Sequence, residues 1–479
     1  MHKDAKNLVF YLTQIMVSGV LMIISMPIVA HNLTPGELGQ FVLAQVYAGV
    51  VVGFSNLGLL TGYERNYFLY EDSSAKLAQL IYSALAFVLV SVSLLIIGVY
   101  VYQESIGQLI FSEEFPDNLL LFVFIGSAAS SLSQYYLTFY KNSGLAKYYM
   151  VFALLQSGVY FSATLLLLFL SDLKVLSLAY AWLLSNLLLL TILSLAHIKN
   201  NPVDFNWKIL KEMLKISIPL TPSVFFGFIS TKFDKIMLGL ISSTGAVGVY
   251  NIGQTLALTI FQFMTGLGRV FQPQVYRKLF NKESDKLSEY ILPFFYLSIF
   301  VALIVALFSK ELILVFFPIE YLYAVYVVIV LSIYYISLFF GKITGPQLIF
   351  AKKTHIVPLL TLAGVFVNVA LNVPFIIEWG IVGAAWATTI TGVLITGVGY
   401  FIAQRYVRIS WHVRKFLLLY GFFLLGIVFA LMDYDKLIGW EILIKFSLIG
   451  LYIYLGFRLA IIDRNMVRSA LLSFKGKLS

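Results

Sequence analysis

Residues 78–101 read AQLIYSALAFVLVSVSLLIIGVYV and contain no charged side chain. As an α-helix, these 24 residues extend about 36 Å, which is enough to cross a hydrocarbon layer about 30 Å thick. Lipid offers the backbone no hydrogen bonds, so an open chain crosses it only as a helix. This stretch therefore predicts a transmembrane helix.

The same pattern recurs along the chain, in apolar stretches of roughly 17 to 25 residues separated by short polar joints. Hydrophobic residues make up 60% of the 479 and charged residues 12%, with a mean hydropathy of +0.90, which excludes a water-soluble domain. We predict an all-α polytopic membrane protein of about 14 transmembrane helices. The predicted spans are 8–30, 38–62, 78–101, 118–140, 148–170, 175–196, 216–240, 248–270, 289–308, 322–345, 356–377, 381–403, 416–432 and 440–460.

Positive charge is concentrated on alternate joints. If the N-terminus is cytoplasmic, 26 of the 33 Lys and Arg residues fall at inner joints or termini. This asymmetry is the positive-inside pattern, and it predicts a multi-pass protein of a bacterial-type cytoplasmic (inner) membrane with both termini cytoplasmic. The same pattern accounts for the net charge of +10, so membrane lipids are expected partners and nucleic acid is not.

A faint internal repeat divides the chain. Residues Thr34–Phe41 (TPGELGQF) match Ser243–Tyr250 (STGAVGVY) at an offset of 209, and Ala179–Trp182 matches Gly383–Trp386 at an offset of 204. Six spans per repeat make the two halves parallel, which is a known plan of membrane transporters. The predicted organisation is an N-terminal six-helix lobe at 1–197, a cytoplasmic linker at 198–215, a C-terminal six-helix lobe at 216–410, and two further helices with a basic cytoplasmic tail at 411–479.

These motifs, taken in order, resemble a known transporter family. They are the first outer loop Leu33–Phe41, the seventh span from Ile216–Leu220 to Asp234–Gly239, the run Val247–Tyr250, Pro273 and the joint Ala351–Lys353. The chain is similar to the polysaccharide repeat-unit (O-antigen type) flippases, the polysaccharide transporter family of the multidrug/oligosaccharidyl-lipid/polysaccharide (MOP) exporter superfamily. The resemblance implies two pseudo-symmetric six-helix lobes around a central cavity that opens to either side in turn. It also implies a polyprenyl diphosphate-linked glycan as cargo, with a polysaccharide polymerase and chain-length machinery as further partners.

The charged residues Lys232, Asp234, Lys235 and Lys342 lie within predicted spans. A charge at the bilayer centre costs roughly 2.5 to 3.5 kcal/mol on insertion scales, so each needs a partner or a water-filled cavity. Two interpretations stay open. Asp234 pairs with a lysine for structure, or the three lysines bind the cargo diphosphate while Asp234 forms an ion pair or couples transport to an ion.

Further candidates lie at the inner ends of spans. Glu64 and Arg65 close the second span and Arg269 closes the eighth. The two arginines are diphosphate candidates and Glu64 is an ion-pair or coupling candidate. They are equally well explained as interfacial residues that follow the positive-inside rule.

Enzymatic and cofactor chemistry is not expected. The five histidines are widely separated and there is no cysteine, so neither a metal site nor any other cofactor is predicted. No Gly-x-x-x-x-Gly-Lys-Ser/Thr run for ATP occurs. The predicted function is a flippase that works by alternating access. The alternatives are a multidrug cation antiporter of the same superfamily, a peptidoglycan-precursor flippase, and an integral membrane glycan polymerase or glycosyltransferase.

Overall fold

The fold consists of long helices. The computed structural model describes residues 2–111, 114–199, 201–432 and 438–461, and within those ranges it contains helices, short 3-10 turns and no strand. The all-α membrane fold expected from the sequence is confirmed. The helices are α1 His2–Asn32, α2 Pro35–Ser55, α3 Leu59–Leu69, α4 Ser74–Ile110, α5 Leu119–Asn142, α6 Ala146–Leu170, α7 Val175–Ile198, α8 Trp207–Ile241, α9 Thr244–Phe280, α10 Leu287–Leu307, α11 Ser309–Phe316, α12 Ala324–Phe350, α13 Ile356–Tyr406, α14 Val413–Leu431 and α15 Ile438–Arg458.

In the described ranges, 11 helices are long and apolar enough to cross a membrane. Helix α13 counts once, although its 51 residues bend at Gly380 (φ 55°) and contain two predicted spans. Helices α8 and α9 do not reach this measure, and α8 carries the charged run Lys232–Lys235. The count of fourteen therefore stays a prediction. The predicted basic tail lies outside the described residues from 462 onward.

The chain forms two compact units, Met1–Asn251 and Ile252–Ser479. In the first unit, α5 packs against α2, α4 and α7, and α6 packs against α1 and α7. In the second, α12 packs against α10 and α13, and α14 and α15 both contact α10. Helix α8 packs on α2, α3 and α4 and so belongs to the first unit. The repeat-based boundaries at 197, 215 and 410 divide the chain at other points and stay a prediction.

Two repeat-related glycines meet at the start of α2 and α9. A Cβ added to Gly39 would lie 1.8 Å from the Thr244 carbonyl oxygen, and one added to Gly248 would lie 2.1 Å from the Pro35 carbonyl oxygen. Both pairs are related by the offset of 209, so the contact is reciprocal. Only glycine permits this approach of two backbones. Nearby, Thr34 and Glu37 form a capping box that fixes where α2 begins.

The predicted second span, 38–62, is wrong as one continuous helix. Helix α2 ends at Ser55, and the chain turns through Leu57 (φ 46°) and Gly58 (φ 63°) before α3 begins at Leu59. A Cβ at Gly62 would lie 2.7 Å from the Met213 carbonyl oxygen, so the break lets α3 approach α8 closely. As a result, Glu64 and Arg65 lie in the middle of α3, a separate helix of 11 residues.

Candidate functional site

The charged run of α8 faces the first turns of α9. The two helices are joined through Ser242 and Ser243, so residues about eight positions on either side of this turn lie opposite one another. The Tyr250 hydroxyl donates to Asp234 Oδ2 at 2.8 Å. Lys235 Nζ donates to Asn251 Oδ1 at 2.7 Å. Asp234 and Lys235 are 4% and 6% exposed, which makes these bonds to neutral partners part of how two buried charges are accommodated.

Lys232 differs from its neighbours on α8. It is only partly buried, and it makes no hydrogen bond or ion pair with another part of the chain that the structure describes. Lys232 and Lys235 are three residues apart and lie on adjoining sides of the helix. Within the charged run, Lys235 is the lysine that donates to α9, at Asn251, whereas Lys232 is only partly buried.

Two of the predicted diphosphate residues come together in the second unit. The Lys342 side chain on α12 reaches α9 next to Arg269, since a Cβ added to Gly268 would lie 3.5 Å from Lys342 Cδ. The positive charges of Lys342 and Arg269 repel each other. Lys342 Nζ donates to Thr265 Oγ1 at 3.1 Å and lies 4.6 Å from the centre of the Phe261 ring. Both cations are half-buried. Among the described residues, neither forms an ion pair with a carboxylate.

An uncompensated pair of cations in a partly buried position favours an anion. Repulsion between like charges is larger where water is partly excluded, and a bound anion of about two charges offsets it. The hydroxyl of Thr265 adds a neutral group beside the ammonium. We call Lys342, Arg269 and Thr265 the cationic site.

The remaining candidates lie on α3. Glu64 forms an ion pair with Lys141 at 2.5 Å, and both side chains are well exposed. Arg65 is exposed and donates to the side chain of its neighbour Asn66 at 3.0 Å. Within the described ranges, neither residue forms a hydrogen bond or an ion pair with the charged run of α8.

The sequence interpretation missed the neutral partners Tyr250, Asn251 and Thr265. The two-residue turn between α8 and α9 was a usable signal, because a tight hairpin places residues at equal distances from the turn opposite each other. No comparable signal in the sequence connects Thr265 to Lys342, since 77 residues separate them.

The sequence of this chain matches the profile of a known protein family. The sequence profile of the family described as "Polysaccharide biosynthesis protein" matches residues 5–278, which is more than half of the chain. The chain belongs to this family. A comparison with curated protein sequences found no match.

Solved structures with a similar fold include a lipid flippase and a multidrug transporter. This chain is similar to "Lipid II flippase MurJ, inward closed conformation", with a TM-score of 0.72 and 18% identity over 95% of this chain and 100% of that chain. It is also similar to an inward-facing multidrug resistance MATE family transporter of the MOP superfamily, with a TM-score of 0.60 and 14% identity over 84% of this chain and 95% of that one. At these identities the likeness shows the fold alone. The expected membership of a polysaccharide family is confirmed by the profile match, and the expected likeness of fold to MOP exporters is confirmed by these structures.

Proposed function

We propose that this family member flips polyprenyl diphosphate-linked oligosaccharide units from the cytoplasmic to the outer leaflet by alternating access, for surface polysaccharide biosynthesis. The observation that supports it is the cationic site, where Lys342 and Arg269 lie together without a carboxylate partner in the described ranges. A diphosphate carries about two negative charges, which two cations and a hydroxyl are suited to bind. Lys232 is a further diphosphate candidate, because it is only partly buried and makes no hydrogen bond or ion pair with the described part of the chain.

The same charges weigh against a drug-cation exporter. A cationic drug would be repelled by Lys342 and Arg269, whereas an anionic lipid diphosphate is attracted. Asp234 lies in the charged run of α8, and its Oδ2 accepts a hydrogen bond from Tyr250. We assign Asp234 a positioning role for the α8–α9 hairpin.

The membrane potential supplies a driving force. With both termini cytoplasmic in an inner membrane, outward movement of two negative charges is favoured by about 4 to 5 kcal/mol per 100 mV if they cross the whole field. No hydrolysis of a nucleotide is then needed. The flipped unit would pass to a polysaccharide polymerase with its chain-length machinery in the outer leaflet.

The test is translocation of a fluorescent polyprenyl diphosphate oligosaccharide in proteoliposomes. We expect Lys342→Gln and Arg269→Gln each to slow transport about tenfold or more, because a hydrogen bond to a charged group contributes about 1.5 to 3 kcal/mol. Lys286→Gln is the control, since this exposed lysine already pairs with Glu283 at 2.9 Å.

Transport by the variants and the control is compared at matched levels of folded protein. Loss of transport in the two cationic-site variants but not in Lys286→Gln supports the proposal. Full transport in both variants would remove the cationic site from the mechanism. Transport of ethidium in place of the glycolipid would assign the chain to the drug exporters.

A further inference from the structure

A polar cleft lies at one end of the first unit, where α4 ends and α5 begins. Its volume is about 560 Å³, within the range of small-molecule sites. A second cavity of about 450 Å³ adjoins it through the shared residue Glu114. Helix α4 changes direction at Tyr102, so its last residues, 103–110, run along this cleft. We call the two cavities together the acidic cleft, and the predicted topology places them at the outer face.

Three amide side chains line the larger cavity: Gln103, Gln108 and Asn118. None of them makes a hydrogen bond with another part of the described chain. The Gln103 side-chain oxygen is buried from solvent and still lacks a donor. A buried acceptor without a partner is costly in a folded protein, and a bound donor would remove that cost. The missing donor indicates a ligand that carries hydroxyl or amino groups.

Two phenylalanine rings give the cavity an apolar wall. Phe111 and Phe115 lie 5.1 Å apart, centre to centre, and both line the larger cavity. The Phe115 ring packs over Gly107, where an added Cβ would lie 1.9 Å from the ring. Gln40 on α2 donates to the Glu114 carbonyl oxygen at 2.8 Å and so holds the start of this wall against α2. Rings beside free amides suit a sugar, which has both an apolar face and hydroxyl groups.

The charge of the cleft is strongly negative. Its lining includes the carboxylates Glu37, Glu104, Glu114, Asp117 and Asp172 and one lysine, Lys174. Lys174 lies 3.6 Å from Glu37. The carboxylates of Glu104, Glu114 and Asp117 form no ion pair among the described residues. An anionic sugar would be repelled from this surface, and a protonated amino sugar would be attracted.

We propose that the acidic cleft binds the sugar part of the cargo at the outer face and selects neutral or amino sugars over uronic acids. This inference rests on the proposed function, because it takes the cargo to be a glycan. It concerns the head of the cargo, whereas the cationic site concerns its diphosphate. The two sites therefore carry charges of opposite sign for two parts of one substrate.

Binding of soluble trisaccharides to the full-length chain in detergent tests the inference without transport. The probes are the glucosamine trisaccharide, its N-acetylated form and trigalacturonate, titrated by calorimetry at pH 6. We expect the glucosamine trisaccharide to bind most tightly and trigalacturonate not to bind. The preference for glucosamine should shrink between low salt and about 0.5 M salt, because exposed charges are then screened.

Two double variants separate the contribution of the amide hydrogen bonds from that of the carboxylate charges. Gln103→Leu with Gln108→Leu should weaken both glucosamine and N-acetylated probes about tenfold, through lost hydrogen bonds. Glu104→Gln with Asp117→Asn should remove only the preference for glucosamine. Glu320→Gln, an exposed carboxylate in another loop, is the control and should leave all three titrations unchanged. Thermal unfolding of each variant checks that it is folded.

The inference is overturned by the absence of saturable binding, by equal binding of trigalacturonate, or by amide variants that bind as the unaltered chain does. Its failure differs from failure of the proposed function. If lipid-linked glycan is transported but no soluble sugar binds, only the acidic cleft is refuted. If soluble sugar binds through the cleft but nothing is transported, the flippase proposal fails and the sugar site stands.

Discussion

A largely buried ion cluster in the second unit makes a sharp prediction about stability. Lys445 on α15 has a side chain that is only 2% exposed, and its ammonium contacts Glu311 Oε1 at 2.5 Å and Glu441 Oε1 at 2.7 Å. One positive charge is thus shared between two carboxylates. Removing the ammonium in Lys445→Met leaves two like charges together in a poorly hydrated place.

The size of the effect follows from this geometry. The two oxygens share one nitrogen partner, so they lie at most about 5 Å apart, and two unit charges at that distance repel by about 3 kcal/mol at an effective dielectric constant of about 20. Breaking a buried ion pair by removing one partner costs about 3 to 5 kcal/mol in other proteins. Glu311 is 30% exposed, and water around it favours the lower value. At roughly 2 to 4 °C per kcal/mol, the melting temperature should fall by about 10 °C.

Thermal unfolding in detergent, followed by tryptophan fluorescence, measures this effect. Glu441→Gln leaves one ammonium and one carboxylate, so we expect a change below about 1 kcal/mol. Lys174→Met is the matched control, because its side chain is 71% exposed and lies 3.6 Å from Glu37. The reasoning is refuted if Lys445→Met melts within about 2 °C of Lys174→Met, or if Glu441→Gln is as harmful as Lys445→Met.

Three further predictions concern packing, a buried hydrogen bond and pH. Gly39→Val should prevent accumulation of folded protein in the membrane, because its Cβ would overlap a backbone oxygen at 1.8 Å, whereas Gly53→Val, with nothing within 4 Å, should accumulate normally. Asn251→Ala removes the 2.7 Å acceptor of Lys235 and should destabilise the chain by about 1.5 to 3 kcal/mol in thermal unfolding; an unchanged melting temperature would contradict this. In the turn after α9, a hydrogen bond from Lys286 lowers the pKa of Glu283. The small stabilising effect of this bond is therefore present above the ordinary pKa of 4.5 and is lost as the pH falls below it. Glu283→Gln should flatten that part of the pH–stability curve.

Much of the fold could be predicted because its signals are local. An apolar stretch of membrane length predicts a helix by itself, and the predicted joint between residues 377 and 381 coincides with the bend at Gly380. The break after Ser55 was missed because Asn56, Leu57 and Gly58 sit in an apolar run without a charged residue or proline. Leu57 has a positive φ, and such a conformation of a leucine has no sequence signature.

The candidate site could be predicted only in part. A lysine within an apolar span is visible in the sequence, so Lys232, Lys235 and Lys342 were found. Their neutral partners look like ordinary polar residues of a helix bundle. The two carboxylates beside Lys445 show the same limit: Glu441 lies one helical turn away, but Glu311 lies 134 residues earlier, in a short helix that the hydropathy pattern marked only as a joint.

The reciprocal crossing of Gly39 and Gly248 has a bearing on ancestry. A contact in which each side presents equivalent positions to the other is self-complementary, which is the property of a twofold dimer interface. A half-length protein with one such glycine, five residues after its cap, would have met a second copy of itself through the same surface. Gene duplication and fusion would then have converted an association between two molecules into a fold within one. In the fused chain, Gly39 and Gly248 can mutate independently, but each remains constrained by the backbone that packs against it.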